Sequence, residues 1–155
     1  MNGLADFPEL VPGHRPDLQR AIEAMPASRA LGLQVVGFSP RGRSVVRMPI
    51  EPRWTFDGRS VQGGIVGTLA DYAGVSAAAA TLGEGWMAST AGFEVHNVAP
   101  AHGEALVAIG RSISAGRSIM VSRAEVYAVR GDDAVLVAVA TTTCRPFEPR
   151  PGQVL

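Results

Sequence analysis

The sequence is poor in cysteine and has no recognisable targeting segment. Cys144 is the only cysteine, which excludes an internal disulfide framework and favours a reducing compartment. Residues 1–18 lack a basic region followed by an apolar stretch, so no signal peptide is expected. The most apolar run, residues 65–82, is interrupted by Asp71 and is rich in alanine and glycine, unlike a membrane span. We therefore expect a cytoplasmic protein.

Charge is also scarce. Charged residues make up 18% of the chain, and 14 basic residues balance 14 acidic ones. A net charge of zero supplies no general field that attracts nucleic acid or an anionic membrane, so we expect neither as a partner, although a local basic patch stays open. Hydrophobic residues reach 46%, so the chain is more hydrophobic and less charged than an average soluble protein. We expect a second copy of the chain to cover part of this apolar surface, in a homodimer or a homotetramer.

Several catalytic motifs are missing. The chain contains no G-x-S-x-G, no P-loop and no dinucleotide fingerprint. His14, His96 and His102 have no metal-ligand spacing among them, so no metal is expected. We expect packing roles for His96 and for Cys144, which follows three threonines in a strand and has no evident base.

What the chain does contain predicts an α+β protein. Residues 16–25 should form a short helix, with Pro16 in its first turn and Pro26 ending it. Glycine, proline and apolar periodicity then predict two strands, a loop over 51–62, a long helix and four more strands. The predicted strands are 31–38, 42–50, 88–98, 104–114, 117–129 and 134–144, and the helix spans about 63–82. We expect the last four strands to form a meander, with the final strand covered on both faces. One antiparallel sheet wrapping the long helix is the economical arrangement.

Asp71 is the only charged residue between Val61 and Gly83, in the middle of the long helix. A helical wheel predicts one larger apolar face that packs on the sheet, formed by Ile65, Val66, Leu69, Tyr72 and Ala73. Asp71 falls on the opposite face, beside the small or apolar residues Gly67, Thr68, Gly74, Val75 and Ala78. A surface helix would carry Lys and Glu there, so we expect a second subunit or an extended loop to cover this face. A shielded carboxylate is costly and indicates function; a solvated Asp71 and a salt bridge to a buried arginine are the alternatives.

The entrance of this helix adds a second chemical feature. Gln62, Gly63 and Gly64 lead directly into it, and a helix N-terminus offers unpaired N–H donors and partial positive charge. Such donors suit a polarised carbonyl or an anion, whereas a plain glycine-rich turn is the structural alternative. Together with a lone carboxylate two turns later, they describe an oxyanion donor with a base or nucleophile.

Residues 61–74 resemble the H/Q-G-G-x-x-x-x-L-x-D-x-A signature of PaaI-like acyl-CoA thioesterases. Gly116-Arg117-Ser118 at a hairpin, the segment Glu125-Val126-Tyr127 and the closing residues 134–147 are also similar to that family. The resemblance covers about residues 28–147 and implies the hotdog fold, with active sites at a subunit interface. Residues 1–27 are then an N-terminal extension with a short helix, and residues 148–155 a C-terminal tail.

The resemblance also implies roles for individual residues. Asp71 would be the general base or the nucleophile, and the N–H of Gly63 or Gly64 would polarise the thioester carbonyl. The Thr90 hydroxyl would help position water, or Thr90 is simply a strand residue; Ser89 replaces it if the alignment slips by one. Gln62 stands where many members have histidine, and glutamine cannot titrate.

The loop before the helix departs from the family. Members often carry an asparagine about six residues before the two glycines, whereas this chain has Asp57 in that region. If Asp57 points inward, two carboxylates share the site and one pKa rises; we prefer Asp57 as the cap of a turn. Trp54 and Phe56 either line an acyl pocket or dock the loop on the core.

CoA phosphates need exposed cations. Arg117, with Ser118 beside it, is the first candidate by resemblance, and Arg145 and Arg150 are weaker ones. We therefore expect hydrolysis of a small, medium-chain or aromatic acyl-CoA, with CoA as part of the substrate and no separate cofactor. The second hypothesis is a non-catalytic acyl-CoA sensor. A hotdog hydratase or dehydratase is the third, and glutamine in place of histidine argues against it.

Overall fold

A computed structural model describes residues 9–149. Two short helices open this part of the chain, and a third, longer helix follows the first two strands. The helices are α1 Pro16–Ala24, α2 Pro26–Leu31 and α3 Gly63–Ala79. The strands are β1 Gln34–Ser39, β2 Arg43–Pro49, β3 Met87–Asn97, β4 Ala105–Ala115, β5 Met120–Arg130 and β6 Asp133–Phe147. The predicted α+β class and the order of the main elements are confirmed, and helix α2 was missed.

The six strands form one antiparallel sheet in the order β1-β2-β4-β5-β6-β3. Only β4, β5 and β6 follow one another as a meander; the expectation that β3 extends it was wrong. β3 pairs with β6 instead, and Thr90 faces Cys144 across that ladder. The expectation that β6 is covered on both faces is also wrong, because Val135 is 56% exposed while alternate residues such as Val137 are buried.

The sheet curls around α3, and it approaches the helix most closely where the helix is smallest. A Cβ added at Gly74 would lie 2.5 Å from Thr142 Oγ1 on β6, and one added at Gly67 would lie 3.2 Å from a methyl of Val95 on β3. These glycines therefore face the sheet, whereas the wheel had placed them on the outer face. Tyr72, expected on the sheet, lies partly buried on the other side, where its hydroxyl lies 3.0 Å from Ser28 Oγ of α2. The sheet wraps the helix on more than one side, so small residues also face it, at the points where the two backbones approach closely.

The face of α3 that the sheet leaves open is covered by this chain itself. Leu18 and Ile22 of α1 are buried at 1% and 4% exposure in the same core as α3, so a segment of this chain covers part of the helix face for which a second subunit or an extended loop was expected. Arg15 anchors α1 by donating to the carbonyl oxygens of Ala79 (2.7 Å) and Leu82 (3.0 Å) at the end of α3. Asp17 completes the anchor by pairing with Arg15 and accepting from the Gly85 N–H at 3.0 Å.

Local signals explain the two short helices. Pro16 and Pro26 each occupy a first-turn position, where a missing N–H costs nothing. Gly32 ends α2 with φ of 63°, a left-handed conformation that favours glycine. None of the described helices is both long enough and apolar enough to cross a membrane.

Candidate functional site

Asp71 lies where α3 passes the start of β3. Its Oδ2 accepts a hydrogen bond of 2.9 Å from Thr90 Oγ1, so the structure brings these two predicted residues together. Its Oδ1 is inaccessible to solvent and has no hydrogen-bond partner among residues 9–149. No salt bridge to Asp71 occurs in the described part of the chain, which removes the buried-arginine alternative there. A carboxylate with one free, shielded oxygen is available for chemistry.

The surroundings of Asp71 alter its acidity. Burial raises the pKa of the Asp71 carboxyl above its usual value, and the hydrogen bond from Thr90 offsets part of that rise. The alternative of a freely solvated aspartate is therefore wrong. Cys144 stands across the β3–β6 ladder from Thr90, and burial together with the negative charge of Asp71 raises the pKa of its thiol to about 11. Cys144 is fully buried, as predicted, and its thiol stays protonated at neutral pH.

The N-terminus of α3 is capped by Gln62. Its Oε1 accepts from the N–H groups of Gly64 at 2.7 Å and Ile65 at 3.2 Å. The Gly63 N–H donates to no acceptor among the described residues, since the first residue of a helix has no partner within it. Of the two glycines predicted as oxyanion donors, Gly63 is therefore the one whose N–H is open.

Asp71 and Gly63 cannot meet on one reacting group of the same chain. They are eight positions apart on one helix, which separates them by about 12 Å along its axis at 1.5 Å per residue. A carbonyl oxygen must lie about 3 Å from its donor while its carbon is within reach of the base. One chain therefore holds these two predicted groups in separate places along α3, as two candidate halves of a site.

Asp71 and Thr90 line a pocket of about 360 Å³ between α1, α3 and the start of β3. Its other walls are mostly apolar and include Leu18, Ile22 and Met25 from the N-terminal segment. These three residues were not among the site residues predicted from the sequence. Their spacing of four and three residues, along a helix with its apolar residues on one side, was the available signal.

The predicted residues of the 51–62 loop do not line this pocket. Asp57 caps a turn, as preferred: its carboxylate accepts from the N–H of Arg59 at 2.8 Å, from the N–H of Ser60 and from the Ser60 hydroxyl at 2.7 Å. These bonds hold the pKa of Asp57 down at about 2. Phe56 is 71% exposed, while Trp54 is half-buried against the core and stacks with Arg53.

The predicted CoA-binding residues also lie elsewhere. Arg117 and Ser118 are exposed at the tip of the β4–β5 hairpin, and Arg145 is exposed on β6. Arg150 lies outside the described residues. Their roles in binding phosphate stay predictions. His96, expected to pack, is instead exposed and lies 3.3 Å from Glu94.

The fold is shared with thioesterases of known structure. A thioesterase family protein from Silicibacter pomeroyi is 26% identical with a TM-score of 0.80, over 88% of this chain and 99% of that one. A putative thioesterase from Ralstonia eutropha, described as related to phenylacetic acid degradation, is 25% identical with a TM-score of 0.71, over 85% and 98%. The PaaI protein of the Escherichia coli phenylacetic acid degradation operon is 19% identical with a TM-score of 0.72, over 86% and 96%.

No protein-family model matches the sequence, and no curated protein matches it significantly. The likeness is therefore carried by the three-dimensional structure, and it confirms the predicted hotdog fold.

Proposed function

We propose that this hotdog-fold chain is a member of the PaaI-like thioesterase family and hydrolyses an acyl-CoA to the free acid and CoA. The observation that carries this proposal is the Asp71 carboxylate, which lines an apolar pocket with one oxygen held by Thr90 and the other shielded from solvent and without a hydrogen-bond partner among the described residues. A raised pKa makes this carboxylate a stronger base than a solvated one.

Two routes lead from this carboxylate to the products. As a base, Asp71 takes a proton from water while the water oxygen attacks the thioester carbon; the C–S bond then breaks and the proton passes to the leaving thiolate. As a nucleophile, Asp71 attacks the carbon itself, expels the thiolate and forms an anhydride that water later hydrolyses. Single turnover in ¹⁸O-labelled water identifies the second route when label appears in Asp71, which requires water to attack the Asp71 carbonyl of the anhydride; attack at the acyl carbonyl labels only the free acid, as the first route does.

The two halves of the site support action as a dimer. The carbonyl oxygen would be held by Gly63 of one copy while Asp71 of the other copy performs the chemistry. Strand β3 offers a surface for such pairing: it ends the sheet, runs eleven residues, and leaves most of its residues from Ser89 onward exposed. Phe93 on this strand is 47% exposed, and a long exposed edge is a template for another strand. A homotetramer would require a further interface and stays a prediction.

The first experiment measures CoA release by the wild type and Asp71→Asn across acyl-CoAs from acetyl to medium-chain, phenylacetyl and benzoyl. Asparagine keeps the shape and removes the base, so we expect turnover to fall about a thousandfold or more with binding retained. Asp132→Asn, an exposed carboxylate in the β5–β6 turn, is the control. If the wild type binds acyl-CoA and releases no CoA, the sensor function replaces hydrolysis. An enoyl product without free thiol indicates a hydratase.

A second experiment tests the shared site. Gly63→Pro removes the open N–H at a position where proline suits a helix, and Gln62 already has a φ of −62° and ψ of 134° that precede proline well. Gly63→Ala keeps the N–H and serves as control. A purified heterodimer of Gly63→Pro with Asp71→Asn contains one intact site if the halves come from different copies, and should show about half of wild-type activity. An inactive heterodimer would place both groups in one chain's site and refute the shared arrangement.

A further inference from the structure

The pocket beside Asp71 has a wall that belongs to the N-terminal segment. Leu18 and Ile22 project from α1 and are almost fully buried, while Met25 follows directly after the helix. Val75 of α3 and Phe147 at the end of β6 are partly buried across the same space. The pocket therefore lies between Asp71 and residues of α1, α3 and β6.

The chemistry of the lining selects a neutral guest. Among the described residues 9–149, Asp71 is the only carboxylate that lines the pocket, and no lysine, arginine or histidine lines it. The hydroxyl of Tyr72 is within hydrogen-bond distance of Ser28. An acyl group that ends in a carboxylate would enter without a cation to balance it, close to the negative charge of Asp71.

The wall is held in a fixed position. Arg15, which precedes α1 and is 6% exposed, donates to two carbonyl oxygens at the end of α3 and to that of Trp86 in the loop after it. His14 adds a contact of 2.9 Å between Nε2 and the Ala80 carbonyl oxygen. Because α1 is tied to the same helix that carries Asp71, the depth of the pocket measured from the carboxylate is set by the fold.

We infer that α1 is the end wall of the acyl pocket, and that Ile22 limits the substrate to neutral, apolar acyl groups of medium length. At about 30 Å³ for each water-sized group, 360 Å³ holds about twelve such groups, which corresponds to acyl chains of up to about ten carbons or a phenyl-substituted short acid. This inference rests on the proposed function for the identity of the guest, and it adds the substrate class and the residues that determine it.

The test measures binding as well as turnover, so that it does not depend on hydrolysis. Calorimetric titration of the full-length Asp71→Asn protein with linear acyl-CoAs should show affinity rising about fourfold per methylene, then levelling off near ten carbons. Hexanoyl-CoA should bind this variant at least tenfold more tightly than adipoyl-CoA, which has the same chain length and a terminal carboxylate, because the described lining offers that carboxylate no cation even after the charge of Asp71 is removed.

Two variants move the limit in opposite directions. Ile22→Ala removes three carbons from the end wall, so the dodecanoyl-to-octanoyl affinity ratio should rise about tenfold or more. Val75→Phe narrows the pocket, so affinity should level off at a shorter chain. Ile109→Ala removes the same three carbons from the smaller hydrophobic cluster that includes Val45 and should leave the profile unchanged. If Ile22→Ala does not fold, Ile22→Val, which removes one carbon from the same wall, still decides the question: the dodecanoyl-to-octanoyl affinity ratio should rise by about fourfold.

The outcomes separate this inference from the proposed function. An unchanged chain-length profile in the folded variants, or equal binding of adipoyl-CoA and hexanoyl-CoA, would overturn the assignment of α1 while hydrolysis stands. A wild type that releases no CoA but shows the expected profile would reject hydrolysis and retain the pocket.

Discussion

Gly110 tests how tightly α3 is seated on the sheet. It lies on β4 opposite the middle of α3, and a Cβ added there would overlap the backbone carbonyl oxygen of Ala73 and the hydroxyl of Ser44. That hydroxyl donates to the same carbonyl at 2.6 Å. Because the nearest atom belongs to the backbone of a helix packed on several strands, Gly110→Ala cannot be relieved by turning one side chain.

The expected loss in the free energy of unfolding is the sum of three contributions. Overpacking of this kind costs about 2 kcal/mol, and disturbing the buried Ser44–Ala73 hydrogen bond adds about 1.5 kcal/mol. Alanine returns about 0.5 kcal/mol because it is less flexible than glycine in the unfolded chain. The net loss is about 3 kcal/mol, which for a chain of this length lowers the melting temperature by about 6–12 °C.

Urea unfolding and thermal melts followed by circular dichroism measure this loss. Gly83→Ala is the control, since nothing lies within 4 Å of a Cβ at that position. The control should stay within about 0.5 kcal/mol of the wild type. If Gly110→Ala is as stable as Gly83→Ala, α3 does not sit as close to β4 as described here, and the placement of Asp71 against Thr90 has to be reconsidered.

Four further predictions concern single ionisable side chains. Arg15→Met should cost about 3 kcal/mol of unfolding free energy in urea, because it leaves Asp17 and the carbonyls at the end of α3 without their donor. Since Arg15 holds the pKa of Asp17 far below its usual range, the stability that Asp17 supplies is complete above pH of about 4 and is lost as the pH falls; titration of wild type against Asp17→Asn measures the difference. For Asp71 the sign is reversed, because burial raises its folded-state pKa: stability is lost as the pH rises from about 4, so Asp71→Asn should exceed the wild type at pH 7 and lose that advantage in acid. Cys144, with its thiol pKa raised to about 11, should react with a thiol reagent at pH 8 only in urea; rapid reaction of the native protein contradicts its burial.

Local signals made much of the fold predictable. Helix α3 and the long strands were placed within a few residues because apolar periodicity and turn residues bound them on both sides. The choice of β6 as partner for β3 could not be predicted, since the alternation of side chains sets which face is buried and does not say which edge a strand joins. Helix α2 had signals in Pro26 and Gly32 that went unused.

The candidate site was also predictable in part, from the charge pattern and from the family resemblance. Asp71 stood out because no other charge accompanies it on α3, and the family resemblance pointed to Thr90 and to Gly63 or Gly64. The faces of α3 were assigned wrongly because the side with the larger apolar residues was taken to face the sheet. The curved sheet in fact packs closely against Gly67 and Gly74, where no side chain keeps the backbones apart. The contribution of α1 depends on contacts between Arg15 and residues far along the chain, which no local pattern encodes.

The anchoring of α1 also has a consequence for the order in which the protein folds during synthesis. Arg15 leaves the ribosome early, yet the carbonyl oxygens that hold it lie 64 to 71 positions later, several seconds of translation at about 5–20 residues per second. A helix of nine residues is marginal by itself, so α1 has to wait, with Leu18 and Ile22 exposed, until the end of α3 is available. Helix α1 is therefore synthesised before α3 but becomes fixed in place after it. In hydrogen-exchange labelling of the refolding chain, we expect amides of α1 to gain protection after those of α3.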